Sequence, residues 1–282
     1  MIDNRVRERC WRLERFVTNK LNSWAPDFAR AYRQNRDNRT ASRPPSPTPY
    51  GFKFSGPRPI SNYETDEIEI FLQYLQRSSV CIDIGANVGL YSCLAMRCRK
   101  QVLAVEPNPV NLQRLYRNLI ANDYLDVELY PVGLSNEPGL KRLYGTGLNA
   151  SFIAGWARTK NTLYTVAPLT TLDILAGTRF DGLQVTIKID VEGLEFQVLQ
   201  GATQTLTLTP KPFWLIEIVL TEQIPGGINT RMYDTFEIFW RNGYQARTAD
   251  RERKLVKPQD VERWVATGSR DFGSYNYLFE AR

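Results

Sequence analysis

A short apolar run that ends in a glycine-rich turn, Val80–Gly89 (VCIDIGANVG), constrains the fold of this 282-residue chain more than any other segment. Glycine permits left-handed backbone conformations and close backbone approach, so Gly85 and Gly89 indicate a tight turn. The segment predicts a buried strand, Val80–Ile84, that runs through the turn into a helix, Val88–Arg97. Such a unit is typical of doubly wound α/β sheets, which bind ligands where their parallel strands end.

The same alternation of strand and helix patterns continues from Gly51 to the C-terminus. The further predicted strands are Gln101–Glu106, Val127–Val132, Gln184–Asp190, Pro212–Val219, Tyr244–Arg247 and Tyr275–Glu280. The further predicted helices are Asn108–Asn122, Gly193–Gly201 and Met232–Asn242. This alternation predicts parallel βαβ units. Residues 133–170 interrupt it with five glycines, and we expect them to form an excursion over the ligand-binding edge of the sheet.

The first 44 residues hold ten Arg and one Lys against five acidic residues, while the rest of the chain has 25 basic and 25 acidic residues. Apolar residues at helical spacing from Val6 to Leu21 predict a basic amphipathic helix, and residues 34–50 are a linker rich in Pro, Ser and Arg. We therefore divide the chain into residues 1–50, helix and linker, and residues 51–282, the main domain. A cap packed on that domain is the favoured role of the helix; peripheral contact with an anionic membrane or a partner protein is the alternative.

Absent features exclude several classes of function. The chain has no histidine, which removes Ser-His-Asp and Cys-His pairs and histidine metal sites. It shows neither a run of ~18 apolar residues nor an export signal, and its four cysteines lack C-x-x-C spacing. We therefore expect a cytoplasmic protein with reduced thiols. The neutral main domain argues against a nucleic-acid partner, and no oligomeric state is predicted.

The glycine turn differs from the dinucleotide-binding fingerprint, because Asn87 and Leu90 stand where its second and third glycines belong. Asp83 before the turn disfavours a pyrophosphate and suits a ligand with an ammonium group, as in S-adenosylmethionine. The next strand ends in Glu106, beside the first turn, where a carboxylate can accept two hydrogen bonds from a ribose diol. Glu106 alone would suit NAD equally well, and both features also have plain structural alternatives: a turn without a ligand and an exposed strand end.

A third motif follows the strand that ends at Asp190. Three carboxylates, Asp190, Glu192 and Glu195, occur within six residues at this edge. They could orient a substrate hydroxyl, accept its proton or hold a cation; capping of the following helix is the alternative, above all for Glu192. Lys188 shares a strand face with Asp190 and could pair with it or be structural.

Together, the segments IDIGANVGLYS, AVEPNP, TLD at Thr171–Asp173, KIDVEGLEFQVLQGA and WLIEI resemble the FkbM family of S-adenosylmethionine-dependent methyltransferases. The resemblance extends from Glu64 to Glu217 and, more weakly, over the C-terminal hairpin, but not over the basic first ~50 residues. It implies a Rossmann-like class I methyltransferase: a seven-stranded, mostly parallel sheet with an antiparallel last strand and helices on both faces. It further implies O-methylation of a hydroxyl on a sugar, polysaccharide or natural product.

The resemblance also implies roles for individual residues. The methionine end of S-adenosylmethionine would be lined by Asp83, Gly85, Asn87 and Gly89. Glu106 would hold the ribose, and Asp190 and Glu192 would face the transfer site. We expect Asp190, and second Glu192, to accept the proton of the acceptor hydroxyl.

Two further questions concern metal and acceptor. A divalent cation bridging Asp190 and Glu217 is an alternative route to an activated hydroxyl, but two carboxylates do not favour it and we predict no metal site. The excursion Gly145–Trp156 offers polar groups beside an aromatic ring that suit a small-molecule or glycan acceptor: Asn149, Ser151 and Trp156. A non-catalytic binding module and, less favoured, an NAD-linked oxidoreductase are the competing functions.

Overall fold

The computed structural model describes residues 43–57, 60, 65–145, 147, 150–159, 161–162 and 164–281. The predicted N-terminal amphipathic helix and Asn149 lie outside these residues. In the described residues the strands are β1 Ser46–Pro47, β2 Lys53–Phe54, β3 Val80–Ile84, β4 Gln101–Val105, β5 Val127–Tyr130, β6 Gly133–Leu134, β7 Gly139–Tyr144, β8 Tyr164–Thr170, β9 Val185–Ile189, β10 Phe213–Glu217, β11 Tyr244–Thr248, β12 Leu255–Val256 and β13 Asn276–Ala281. The α-helices are α1 Thr65–Gln76, α2 Leu90–Arg97, α3 Pro109–Ile120, α4 Leu172–Leu175, α5 Glu195–Gln200, α6 Met232–Arg241 and α7 Pro258–Thr267.

The main sheet has the strand order β5-β4-β3-β9-β10-β13-β11-β12. Strands β5, β4, β3, β9 and β10 pair in parallel, and β13 pairs antiparallel with both β10 and β11. The predicted class I methyltransferase sheet is confirmed, and the two-residue β12 adds an eighth strand at its edge. The chain leaves β3 towards one edge and returns at β9 towards the other, so a crevice opens where β3 and β9 end.

Helices cover both faces of this sheet. One face packs against α1, α2 and α3 through buried residues that include Ile68, Leu94 and Leu115. The other packs against α5, α6 and α7 through residues that include Phe236 and Trp264. Because both faces are covered, β3 and β9 are buried along their whole lengths. This double burial agrees with the mostly apolar sequence of β3, whereas β9 buries Thr186 and Lys188 along with its apolar residues.

Two smaller sheets flank the main one. Strands β1 and β2 form a hairpin whose Phe52 and Phe54 are buried against the main domain, and the predicted boundary after residue 50 falls inside it. The excursion of residues 133–170 contains a three-stranded sheet with the order β6-β8-β7. Its inner face buries Leu143 and Phe152 against Leu194 in the loop after β9. Among the described residues, no helix is both long and apolar enough to cross a membrane.

Candidate active site

The site is organised by two loops that touch at the switch between β3 and β9. Gly85 follows β3 and Asp190 follows β9, and the N–H of Asp190 donates to the carbonyl oxygen of Ile84 over 3.0 Å. Gly85 has φ +78°, and a Cβ there would lie 1.9 Å from the carbonyl oxygen of Asp190. Glycine is therefore required at this position because two backbone segments are in contact, and not only because a ligand approaches.

Glu106 is held at the end of β4 by main-chain donors. Its Oε2 accepts a hydrogen bond from the N–H of Asn87 at 2.7 Å, and its Oε1 accepts one from the N–H of Asn108 at 2.8 Å. Burial raises the pKa of Glu106 to about 7, against the opposing effect of these hydrogen bonds. Oε1 also accepts a hydrogen bond from Nδ2 of Asn111 at 3.4 Å. Oε2 retains a further lone pair, so the fixed carboxylate can still accept a hydroxyl donor from the cavity that it lines.

Two residues that the sequence predicted to contact the ligand, Asp83 and Gly89, lie beneath the turn and not at the cavity. Asp83 is 1% exposed, and its Oδ2 accepts a hydrogen bond from the hydroxyl of Ser92 at 2.6 Å. Burial raises its pKa to about 6. Gly89, with φ +88°, precedes α2, and a Cβ there would lie 2.9 Å from the side chain of Leu115. Neither residue belongs to the cavity wall. Both support the turn by packing on the helices, Asp83 against Ser92 of α2 and Gly89 against Leu115 of α3.

A cavity of about 550 Å³, which includes its open mouth, lies above the two loops. It brings together most of the residues predicted for the site, namely Gly85, Asn87, Glu106, Asp190 and Glu192. Sequence reasoning missed Asn111 on its wall, in the first turn of α3. The Nδ2 of Asn111 donates to the carbonyl oxygen of Gly147 over 3.1 Å. The other walls are apolar and come from β6, β7 and the excursion, including Leu134, Leu143 and Phe152.

Ser151 and Trp156 are buried rather than presented to an acceptor. The hydroxyl of Ser151 donates to the carbonyl oxygen of Glu192 at 2.7 Å, and the indole N–H of Trp156 donates to Oε2 of the same residue. Trp156 is 2% exposed because its ring packs on Gly193, where a Cβ would lie 2.5 Å from it. Neither Ser151 nor Trp156 lines the cavity. Both side chains hold Glu192, and acceptor contact through them stays a prediction.

A buried charged cluster lies under the loop after β9. The Nζ of Lys188 is 2.9 Å from Oε1 of Glu67 in α1, so the lysine pairs with a residue that no sequence motif pointed to. Burial, together with the neighbouring Asp190, raises the pKa of Glu217 well above its usual value. Glu195 accepts a hydrogen bond from the N–H of Gly193 at 3.0 Å, and burial raises its pKa to about 7.

A family model described as a methyltransferase FkbM domain matches residues 83–246, which cover more than half of the chain. The chain belongs to the FkbM methyltransferase family. Similar proteins include a hexuronic acid methyltransferase, AglP, of Haloferax volcanii, 30% identical over 149 residues, or 51% of this chain and 58% of that protein. Another is the methyltransferase sdnD of Sordaria araneosa, 38% identical over 117 residues, or 39% of this chain and 43% of that protein. The FkbM chain thus spans about half the length of these curated relatives.

Two solved structures that are similar to this FkbM protein are described as methyltransferases. An S-adenosylmethionine-dependent methyltransferase from Agrobacterium tumefaciens aligns with a TM-score of 0.44 at 8% identity, over 84% of this chain and 69% of that one. A precorrin-6y C5,15-methyltransferase from Geobacter metallireducens aligns with a TM-score of 0.40 at 12% identity, over 77% and 86% of the two chains.

Membership of the FkbM family implies S-adenosylmethionine as the methyl donor, and the cavity has groups that fit it. The Oδ1 atoms of Asn87 and Asn111 are buried, and neither accepts a hydrogen bond from any described residue. Buried acceptors without donors are costly, so these two atoms favour a ligand that carries N–H or O–H groups, as adenosine does. Within the part of the chain that the structure describes, no group of three or more Asp, Glu, Cys or His side chains is arranged to hold a metal ion.

Proposed function

We propose that this FkbM protein methylates a hydroxyl group of a sugar or sugar-containing natural product, with S-adenosylmethionine as the donor. The observation that carries this proposal is a single cavity. It brings Gly85, Asn87 and Glu106, which are expected to bind the methyl donor, together with the carboxylates of Asp190 and Glu192. The Haloferax volcanii relative is described as a hexuronic acid methyltransferase, which supports a sugar as the acceptor class.

In this proposal the donor, when bound, supplies an electrophilic methyl group. Glu106 would accept a hydrogen bond from a ribose hydroxyl through Oε2, and the buried Oδ1 atoms of Asn87 and Asn111 would accept further donor groups of the adenosine. The apolar walls around Phe152 and Leu143 exclude water from this end of the cavity. These groups would hold the donor in the same cavity as the loop after β9.

Asp190 is the proposed base. It lies at the cavity wall where β9 ends, and it directly follows a strand that is buried along its whole length, which gives the residue a rigid support. Burial and the charge of Asp190 raise the pKa of the neighbouring Glu217, which favours the protonated form of Glu217 beside the proposed base. Asp190 can then accept the proton of a hydroxyl that approaches the donor.

The test is a comparison of Asp190→Asn with the wild-type protein. We expect the variant to bind S-adenosylhomocysteine with unchanged affinity in a calorimetric titration, but to lose methyl transfer by at least about 100-fold. Transfer is measured with radiolabelled donor on a panel of free and glycosidic uronic acids and neutral sugars. Asp126→Asn, an exposed aspartate, is the matched control and should behave as wild type. Normal turnover by Asp190→Asn would show that the base is another group.

A further inference from the structure

A buried cation lies directly beneath the proposed base. The side chains of Lys188 and Glu67 are 2% and 7% exposed, and their Nζ and Oε1 atoms are 2.9 Å apart. The same Nζ lies 5.3 Å from the ring centre of Tyr91 at the start of α2. A lysine buried to this degree remains charged only where partners compensate its lost hydration. The groups around Lys188 therefore determine which side chains its positive charge stabilises.

Carboxyl groups reach this cation from several elements. Asp83 of β3 is the register partner of Lys188, and Asp190 follows two residues later on the same face of the strand. Glu217 comes from the neighbouring β10 and Glu67 from α1. Around them, Glu195 acts on Asp190 and Glu192 acts on Glu217. Burial opposes the charged form of Lys188, but Glu67, Asp190 and Glu217 outweigh it and raise its pKa.

The cluster thus holds more carboxyl groups than positive charges. Lys188 is the cationic neighbour that lowers the pKa of both Asp83 and Glu217 against the effect of burial. Neither Lys188 nor Glu67 lines the cavity, so neither can touch a substrate there. Any influence of this ion pair on methyl transfer must therefore pass through a neighbouring group. Of the carboxyl groups that act on Lys188, Asp190 is the one that lines the cavity.

We propose that Lys188 and Glu67 form a positioning pair that keeps the carboxyl group of Asp190 ionised beneath the transfer site. Lys188 supplies the positive charge, and Glu67 anchors that charge to α1 and limits how strongly Asp190 experiences it. The inference rests on the proposed function in one respect, namely that Asp190 is the group that accepts the proton. It assigns α1 a role in the site although its sequence carries no recognisable motif.

If the pair acts on Asp190, removing its cation and removing its anion should shift the protonation midpoint of Asp190 in opposite directions. An ion pair with a structural role alone would not produce these opposite shifts. The protonation midpoint of Asp190 is measured by ¹³C NMR on protein labelled at the aspartate carboxyl carbons, with Asp190→Asn identifying the resonance. We expect Lys188→Met to raise this midpoint by about one pH unit or more, because a neighbouring cation is lost. Glu67→Gln should lower it, because Lys188 loses a competing anion. The double variant should lie between the two, and Lys188→Arg should restore the wild-type value.

An unchanged Asp190 midpoint in both single variants would overturn the proposal and leave the ion pair with a structural role alone. Should Lys188→Met fail to fold, Glu67→Gln still decides, since it retains the cation. Binding of S-adenosylhomocysteine by the wild type is measured in parallel. Absent binding would contradict the proposed function without affecting the NMR result, so that failure of one idea is distinguishable from failure of the other.

Discussion

The two walls of the cavity are built in different ways. On the donor side, the carboxylate of Glu106 is fixed by main-chain N–H groups that are 19 and 2 residues away along the chain. On the opposite side, Glu192 is fixed by the side chains of Trp156 and Ser151, which are 36 and 41 residues away. On the methyl-donor side, Glu106 is thus held mainly by main-chain groups that are near it in sequence. On the opposite side, Glu192 is held by side chains from a distant segment.

This difference indicates which substitutions each wall can accept. A backbone-built wall depends on a few glycines and strand ends, and it tolerates no added atom where two loops touch. In a wall that is held by packed side chains, each substitution removes one contact, so stability falls by a small amount each time. Three substitutions, from the largest expected effect to the smallest, test this contrast.

Gly85→Ala should have the largest effect. The new Cβ would meet the carbonyl oxygen of Asp190 at 1.9 Å, in a backbone conformation with φ +78°. We expect a loss of unfolding free energy of at least about 3 kcal/mol and no detectable donor binding, measured by chemical denaturation and calorimetry. Gly139→Ala in β7 is the matched control, since a Cβ there meets nothing within 4 Å; it should be almost neutral. A stable, donor-binding Gly85→Ala protein would show that the two loops are not in tight contact.

The second test uses the pH dependence that Glu106 imposes on stability. Its pKa is raised from 4.5 to about 7 in the folded protein, so its stabilising contribution is complete below about pH 4.5 and is lost as the pH rises through 7. The loss attributable to Glu106 is up to about 3 kcal/mol. Glu106→Gln mimics the protonated form, and denaturation from pH 4.5 to 8 should show it gaining stability relative to wild type as the pH rises. A constant difference across this range would mean that Glu106 titrates as in the unfolded chain.

Trp156→Phe should have the smallest effect. It keeps an aromatic ring over Gly193 but removes the N–H that donates to Glu192, and the loss of one such hydrogen bond costs about 1–2 kcal/mol. The unfolding free energy should fall by that amount while affinity for S-adenosylhomocysteine stays unchanged. Ser151→Ala, which removes the hydrogen bond to the backbone of Glu192, is the companion variant. Equal losses in stability and donor affinity would indicate that the two walls are coupled.

The contrast between the walls also explains what the sequence could predict. Strands β3 and β9 were predicted to within about one residue, because each is rich in β-branched apolar residues and is followed by glycine or aspartate. The class I sheet and the clustering of Gly85, Glu106 and Asp190 follow from those strand ends. By contrast, no local pattern marks Glu67 as the partner of Lys188, because that pairing depends on where α1 packs. For the same reason, the burial of Trp156 on Gly193 was not foreseen.

The excursion enters and leaves the domain at one place. Gly133 pairs with Leu169 and Leu134 with Thr170, so the strands β6 and β8 at its two ends lie side by side, and the N–H of Ser135 donates to the carbonyl oxygen of Thr170. A segment with adjacent ends can be shortened, lengthened or exchanged without changing the path of the surrounding chain. For protein engineering, this makes residues 136–168 a natural cassette for chimeras between FkbM proteins, with the junctions already aligned by hydrogen bonds.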